Sequence, residues 1–403
     1  MTGPLSHLTI LDMSRVLAGP WAGQILADLG AKVVKVERPG AGDDTRAWGP
    51  PFLKDAGGRD SRESAYYLAA NRGKRSIAID IARSEGQAIV RKLAARSDAL
   101  LENYRVGGLR RYGLDYESLA ALHPGLVYCS ITGFGQTSPL ADEPGYDFLI
   151  QGMAGLMSIT GAEDGPPMKV GTAIADLTTG MYAVIAILAA IAHRERTGEG
   201  QHIDMALFDT QLGWLANQNM NYLVGGEVPR RRGNAHPNIV PYQDFATRDG
   251  YILVCVGNDR QFARFANAIG EPALAADPRY ATNAARVANR KALVAIIAQR
   301  MAERESAQWL ALLKAARIPA GPVNNIAEAF AHPQAVHRGL RVALDHPLGV
   351  RVPTVANPIR FSETAITYRD PPPMLGQHTD AILGELGYDG DAIARLRADG
   401  VVE

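Results

Sequence analysis

The strongest constraint on this chain is a strand–helix–strand alternation that begins in its first forty residues and recurs. Leu8 to Leu11 is an apolar run, Trp21 to Leu29 carries apolar residues at helical spacing, and Ala31 to Val36 alternates with lysines. Ser76 to Ile79 then reads as a strand, Gly86 to Ala95 as a helix, and Ala99 to Leu101 and Leu126 to Ile131 as further strands. Parallel strands need long crossover connections, usually helical, so successive units of this kind imply a parallel sheet covered by helices on both faces. The first half is expected to be α/β.

With 403 residues, and about 150 per domain, two domains are expected, one of them large. The Gly/Pro/Arg-rich stretch Gly225 to Gly233 interrupts the periodicity and leads to a hairpin signal at Asp249-Gly-Tyr. The division placed there gives a large domain over 1–220, completed by a return of 350–403, and a small α+β domain over 221–349. Within the small domain Asn289 and Ser306 stand where helix N-caps are favoured. Pro371-Pro-Pro precedes a last helical segment, Thr379 to Leu386, which is expected to pack back on the large domain.

Forty-two basic and 42 acidic residues leave no charge excess to draw the whole chain to nucleic acid or to a membrane surface, so neither is expected as a partner. The apolar run Met181 to Ala192 is shorter than a membrane span and reads as a buried helix. The N-terminus shows no basic segment followed by an apolar one, so a cytoplasmic protein is expected. Cys129 and Cys255 sit inside apolar stretches and read as core thiols.

The sequence contains no Gly-x-Ser-x-Gly elbow, Walker-A loop or His-Glu-x-x-His, and its histidines do not cluster at metal-ligand spacing, so metal catalysis is not expected. The first βα loop, Arg15 to Gly23, lacks the full glycine pattern of a dinucleotide site, although Glu37 ends a strand where a ribose-binding acid would sit; an NAD-dependent oxidoreductase is the distant alternative. At Val170-Gly-Thr-Ala-Ile-Ala-Asp176 a small-residue stretch delivers one carboxylate to the mouth of the apolar helix. Two roles are open to it: an N-cap, or a sterically open carboxylate that stays ionised and acts as a nucleophile. Basic residues concentrate at Asn71 to Ser76, at Asn103 to Arg111 and at Arg38. Singly each reads as a solvated face; together, at strand ends of one sheet, they suit a polyphosphate nucleotide.

Six motifs in one order carry a resemblance: Leu11-Asp-Met-Ser-Arg-Val-Leu-Ala-Gly-Pro, Lys35-Val-Glu-Arg-Pro-Gly-Ala-Gly-Asp-Asp-Thr-Arg, Asn71-Arg-Gly-Lys-Arg-Ser, Glu102-Asn-Tyr, Thr132-Gly-Phe-Gly-Gln and Ala173-Ile-Ala-Asp176. With these the chain resembles the family III CoA-transferases. The resemblance implies a Rossmann-like large domain with a parallel sheet and a smaller domain that together form a ring, two rings interlocking as a homodimer. It implies that Asp176 is the nucleophile, and that residues matching Val16, Ala18, Arg38, Asn103, Tyr104 and Arg111 line the CoA site. Their neighbours Leu17, Arg72, Lys74 and Arg105 complete the expected CoA set, and Trp48, Tyr146, Gly233, Asn234 and His236 are the expected acyl pocket. Coenzyme A would enter as a thioester substrate, with no cofactor tightly bound and a carboxylic acid as the second substrate.

The implied chemistry proceeds through an aspartyl anhydride and an aspartyl-CoA thioester, with backbone amides near Gly19 or the Gly233 to Asn238 loop as oxyanion donors. Leu17 stands where formyl-CoA transferase-like sequences have Gln, and Gly233-Asn-Ala-His-Pro-Asn replaces their glycine-rich lid. The stretches Asn221 to Phe245 and Gly257 to Phe262 are most similar to the succinyl-CoA:glutarate branch, which acts on short dicarboxylates. The alternative within the resemblance is an α-methylacyl-CoA racemase, which uses a His in a Gly-His-Asp motif; here the motif reads Gly145-Tyr146-Asp147, and a phenol with pKa near 10 is a poor base at neutral pH.

Overall fold

The computed structural model describes residues 3–403, which divide into two compact units. The first holds residues up to Leu156, Val170–Met220 and Gln334–Glu403; the second holds Met157–Lys169 and Asn221–Pro333.

The first unit is built on β1 (Thr9–Asp12), α1 (Ala18–Asp28), β2 (Lys32–Glu37), β3 (Lys74–Ala78), α2 (Ser84–Ala94), β4 (Ala99–Glu102), β5 (Val127–Thr132), α3 (Asp147–Met153), α4 (Ile174–Thr197) and β6 (His202–Ala206). All six strands are parallel, in the order β3-β2-β1-β4-β5-β6. This is the Rossmann order, in which the chain reverses its direction of winding between β1 and β4. Both faces of the sheet are covered. On one, Ile10, Val33, Leu101 and Cys129 pack with Leu26 of α1 and with Ala183 and Ile187 of α4. On the other, Leu11, Val34, Ile77 and Leu100 pack with Ile89 and Val90 of α2 and with the C-terminal Ile382, Leu383 and Leu396.

The apolar run at Met181 lies inside α4, a helix of 24 residues whose most apolar stretch reaches a mean hydropathy of 1.9. That length and composition would span a membrane, but Ala183, Val184, Ile187, Ala190 and Ile191 are buried in the core of this unit. Only one side of the helix is covered, because Met181, Tyr182 and Ile185 are exposed. Gly180 lets α1 and α4 touch: a Cβ there would stand 2.5 Å from the carbonyl oxygen of Ala18.

In the second unit β7 (Tyr242–Ala246), β8 (Tyr251–Cys255) and β9 (Ala320–Pro322) form an antiparallel sheet in the order β9-β8-β7. The helices Asp259–Ala268, Arg290–Met301 and Ser306–Ala315 supply Phe262, Phe265, Leu293, Ile297, Trp309 and Leu313 to its core. Two cap expectations differ from the structure. Asn289 flanks its helix without capping it, since its side-chain amide donates to Arg279 O and Ala285 O instead. Ser306 lies inside its helix, where Glu305 and Gln308 form the capping box. Cys129 is buried, whereas Cys255 is only half-buried.

The division of the chain also differs from the sequence-based boundary in two stretches. Residues 157–169 cluster with the second unit, and residues 334–349 with the first. The second difference follows from hydrogen bonding: Arg341–His346 and Val350–Val355 form one antiparallel hairpin, which a boundary at 349 would cut in two.

Candidate active site

Ligands of open α/β sheets bind beyond the carboxyl ends of the strands, at the point where the strand order reverses. Here that point lies between the loop after β1 and the loop after β4. A reciprocal pair joins them: the Arg15 amide donates to Asn103 Oδ1 at 2.8 Å, and Asn103 Nδ2 donates to Arg15 O at 2.7 Å. Above the pair opens a cavity of about 370 Å³ lined by Arg15 to Ala18, Asn103 to Val106, Ile131 to Gly133, Ala141 to Asp147, Asp176 and Leu207. The structure thus brings Val16, Leu17, Ala18, Asn103, Tyr104, Arg105, Tyr146 and Asp176 to one place.

Asp176 is not the cap of α4. The residue at the N-cap is Ala173, whose side chain accepts nothing, and Asp176 stands three residues later, in the first turn. The capping role falls to Asp147, which opens α3 and accepts the amide of Ala175 on Oδ1 at 2.8 Å. Its other oxygen accepts Gln151 Nε2 at 2.8 Å, and Gln151 Oε1 in turn accepts the Val170 amide at 2.9 Å. The segment entering α4 is therefore pinned to α3 at both ends. Close approach of two glycines sets α3 against the end of β5: a Cβ on Gly145 would lie 2.1 Å from Gly133 Cα. Any side chain at either position would push Tyr146 and Asp147 away from the strand.

With its capping role taken by another residue, the half-buried Asp176 carboxylate accepts no hydrogen bond from the described residues. Burial, and then the nearby Asp147 carboxylate, push it well above the ordinary carboxylate range, to about 7. This corrects the expectation of a carboxylate held ionised by its helix. The favourable dipole of a helix start, about 0.3–1 kcal/mol, is outweighed by desolvation and like charge. Tyr66 belongs to the same electrostatic neighbourhood: burial raises its pKa first, then Asp176 and Asp147. Trp48 packs edge-on against Tyr66 at 5.2 Å but does not line the cavity.

Two of the expected CoA residues are occupied elsewhere. β3 begins at Lys74, so Arg72 and Lys74 lie at its amino end, away from the carboxyl edge where ligands bind. Lys74 is fully buried, and its three donors are spent on Asp12 Oδ2 at 2.9 Å, Pro20 O at 2.8 Å and Asn71 Oδ1 at 2.9 Å. Arg72 grips Asp28 in a fork of 2.8 and 2.6 Å and gives its remaining nitrogen to Thr354. Lys74 has no donor left for a phosphate, and Arg72 is buried with every guanidinium nitrogen already engaged. Arg38, just past the carboxyl end of β2, is exposed, and so is Arg111, whose guanidinium lies 4.6 Å from the Tyr112 ring; neither lines the cavity. Gly233, Asn234 and His236 belong to the second unit, where Arg290 donates to His236 O at 2.8 Å.

Glu37 is likewise unavailable as a ribose-binding acid. It is buried and accepts Arg46 through both oxygens at 2.8 Å and Ser76 Oγ at 2.7 Å. Among the described residues no group of three His, Cys, Asp or Glu side chains could hold a metal ion. Sequence reasoning missed Asp147, Gln151 and Tyr66. The Gly-x-Asp spacing before α3 was visible, but nothing along the chain ties Asp147 to an amide 28 residues away.

Comparison with known proteins places this geometry in a family. The family described as CoA-transferase family III matches residues 5–379, and the chain belongs to it. It is 54% identical over 383 residues to the succinate–glutarate CoA-transferase of Agrobacterium fabrum, covering 95% of this chain and 96% of that protein. It is 45% identical over 401 residues to the human succinyl-CoA:glutarate CoA-transferase, covering 99% of this chain and 90% of that protein. Among solved structures, a CaiB/BaiF family protein from Brucella suis superposes with a TM-score of 0.84 at 52% identity, covering 96% of this chain and all of the other. With the family shown, the oxidoreductase alternative is set aside.

Proposed function

We propose that the chain transfers coenzyme A from succinyl-CoA to a short dicarboxylic acid of the glutarate type, with Asp176 as the covalent carrier. The observation that carries the reading is the Asp176 carboxylate, desolvated in the first turn of α4 and accepting no hydrogen bond from the described residues, in the wall of the switch-point cavity of a chain so similar to succinate–glutarate CoA-transferases. Asp176 Oδ attacks the thioester carbonyl, and collapse of the tetrahedral intermediate expels CoA thiolate and leaves an aspartyl–succinyl anhydride. The thiolate then attacks the Asp176 carboxyl carbon, releasing succinate and forming an aspartyl-CoA thioester. The acceptor carboxylate attacks that thioester in the same way, and the returning thiolate takes the acyl group from the second anhydride. Each carbon–sulfur bond broken is matched by one formed, so no ATP is consumed. A carboxylate with pKa near 7 is more basic, and so more nucleophilic, than an ordinary one, while a large fraction remains ionised at neutral pH.

Homodimer formation belongs to the same proposal. The exposed Met181, Tyr182 and Ile185 of α4, with Phe148, Leu149 and Met153 of α3, form the kind of apolar surface that a monomer rarely leaves uncovered. Light scattering at low micromolar concentration is expected to give twice the chain mass. The test of the activity is a panel of dicarboxylic acids incubated with succinyl-CoA, read by mass spectrometry of the CoA products, with hydroxylamine trapping of Asp176. Transfer to C5 or neighbouring dicarboxylates with label on the Asp176 peptide is expected. Absence of both products and adduct would remove the proposal.

A further inference from the structure

The Lys35–Arg46 motif is absorbed by neither the catalytic carboxylate nor the cavity lining, yet it forms the most heavily charged part of the interior. Lys35, Glu37, Asp43, Arg46 and Glu63 are all buried, joined by ion pairs of 2.9 Å for Lys35–Asp43, 2.8 Å for Arg46–Glu37 and 2.7 Å for Arg46–Glu63. Replacing buried ion pairs by apolar residues often leaves stability unchanged or improved, so stability alone does not account for such a network. Its contacts with the β1–α1 loop suggest another purpose. Lys35 Nζ donates to Ser14 O at 2.8 Å, and Asp43 Oδ1 accepts the Val16 amide at 3.2 Å.

Val16 is the residue that needs holding. Its φ is +71°, in the left-handed region that a β-branched side chain avoids at a cost of about 1–3 kcal/mol. Such a conformation persists only where surrounding contacts over-determine it. Here they come from both sides: Ser14 O and the Val16 amide are fixed by Lys35 and Asp43, and Arg15 between them by Asn103. The consequence lies in the next two residues. Leu17 and Ala18 open α1 and line the cavity with Asp176; Leu17 has no side-chain cap, and Pro20 offers no N–H. The free amides of this first turn are the donors an oxyanion or anionic ligand in that cavity would use.

We infer that Lys35 and Asp43 are positioning residues, which hold Val16 in its left-handed conformation and so keep the opening turn of α1 in the wall of the Asp176 cavity. The inference rests on the reading of that cavity as the acyl-CoA site. It adds a specific mechanical claim: Asp43 matters to the reaction because Val16 is strained. Glycine adopts positive φ freely, so Val16→Gly makes the clamp dispensable.

The test is a cycle of wild type, Asp43→Ala, Val16→Gly and the double variant. It is read by calorimetric binding of succinyl-CoA, by kcat and KM separately, and by circular dichroism. With Val16 present, Asp43→Ala is expected to lower kcat/KM at least tenfold; in the Val16→Gly background, the same substitution should cost less than threefold. A role confined to general stability would cost the same factor in both backgrounds, and that result, or an Asp43→Ala enzyme with wild-type kinetics, overturns the inference. If Asp43→Ala loses its fold by circular dichroism, the cycle is run on Lys35→Met, which releases Ser14 O, with the same criterion. Hydroxylamine trapping of Asp176 in the wild type separates the two claims. A missing adduct removes the reading of the cavity, whereas an adduct with equal Asp43 costs in both backgrounds removes only the clamp.

Discussion

Replacing Asp176 by Asn should abolish turnover and, above neutral pH, make the protein more stable. The second effect follows from the environment of the carboxyl group. Burial and Asp147 raise its pKa from an ordinary 3.8 to about 7, so the folded chain binds this proton more tightly than the unfolded one. A raised value contributes stability that is fully present below about 3.8 and is lost as pH rises through about 7. At ~1.4 kcal/mol per pH unit the ceiling on that loss is ~4 kcal/mol. Asp176 is only half-buried and borders an open cavity, and water reaching it reduces the figure to about 1–2 kcal/mol. Asn carries no charge at any pH and escapes the loss. Thermal unfolding of both proteins at pH 4, 5, 6, 7 and 8 is the assay. The midpoints should nearly coincide at pH 4 and diverge up to pH 8, where the variant of this 403-residue chain should lie about 1–2 °C higher. Turnover should be lost at every pH while succinyl-CoA still binds. A constant gap across the range, or an Asn variant that is the less stable at pH 8, would show that the carboxylate is not desolvated as described.

Further outcomes are expected from the same geometry. Asp147→Asn keeps an oxygen to accept the Ala175 amide but removes the like charge beside Asp176, so the acid limb of kcat/KM should move below the wild-type value of about 7; an unmoved limb would refute the coupling. Arg72→Met leaves Asp28 buried without its cation and should cost about 3 kcal/mol in chemical denaturation, while KM for succinyl-CoA stays within twofold, contrary to a role in holding CoA. Branched acyl-CoA thioesters incubated with the enzyme in heavy water should take up no deuterium at the α-carbon, because among the described residues the cavity is lined by Tyr146 and by no histidine that could serve as the base; rapid uptake would transfer the assignment to a racemase.

The parts of the fold that were legible in the sequence are those set by short-range periodicity. The runs at Leu8, Ala31, Ser76, Ala99 and Leu126 all became strands of the parallel sheet, displaced by a residue or two at their ends. The sixth strand, His202–Ala206, escaped notice because it is short, carries Asp204 in its middle and lies at the sheet edge, where an apolar run is not required. Orientation of charged side chains was not legible at all. Arg72 and Lys74 look like phosphate ligands along the chain, and only folding reveals that Asp12, 62 positions from Lys74, and Asp28, 44 positions from Arg72, claim them first. Asp176 was the reverse case. Local rules offered it a cap or a nucleophile with no means of choosing, and the resemblance alone favoured the second.

The structure supplies the missing physical reason, and it lies in the division of labour between two carboxylates. A helix start has free amides and attracts an acid, so an aspartate in the first turn of α4 would ordinarily be drawn into hydrogen bonds that lower its pKa and weaken it as a nucleophile. Asp147 prevents this by taking the Ala175 amide itself, and because it brings a negative charge alongside, it also raises the pKa of the acid it displaces. Two glycines, Gly133 and Gly145, are what allow Asp147 to come close enough. The N-terminal loop faces the opposite problem, a left-handed valine that local preference would straighten, and buried ions hold it in place. In both walls of the cavity, contacts distant in sequence override what the local chain would do. Motifs such as Lys35–Arg46 and Gly145–Asp147 therefore sit near the chemistry without any of their carboxylates or cations being assigned a bond-making step.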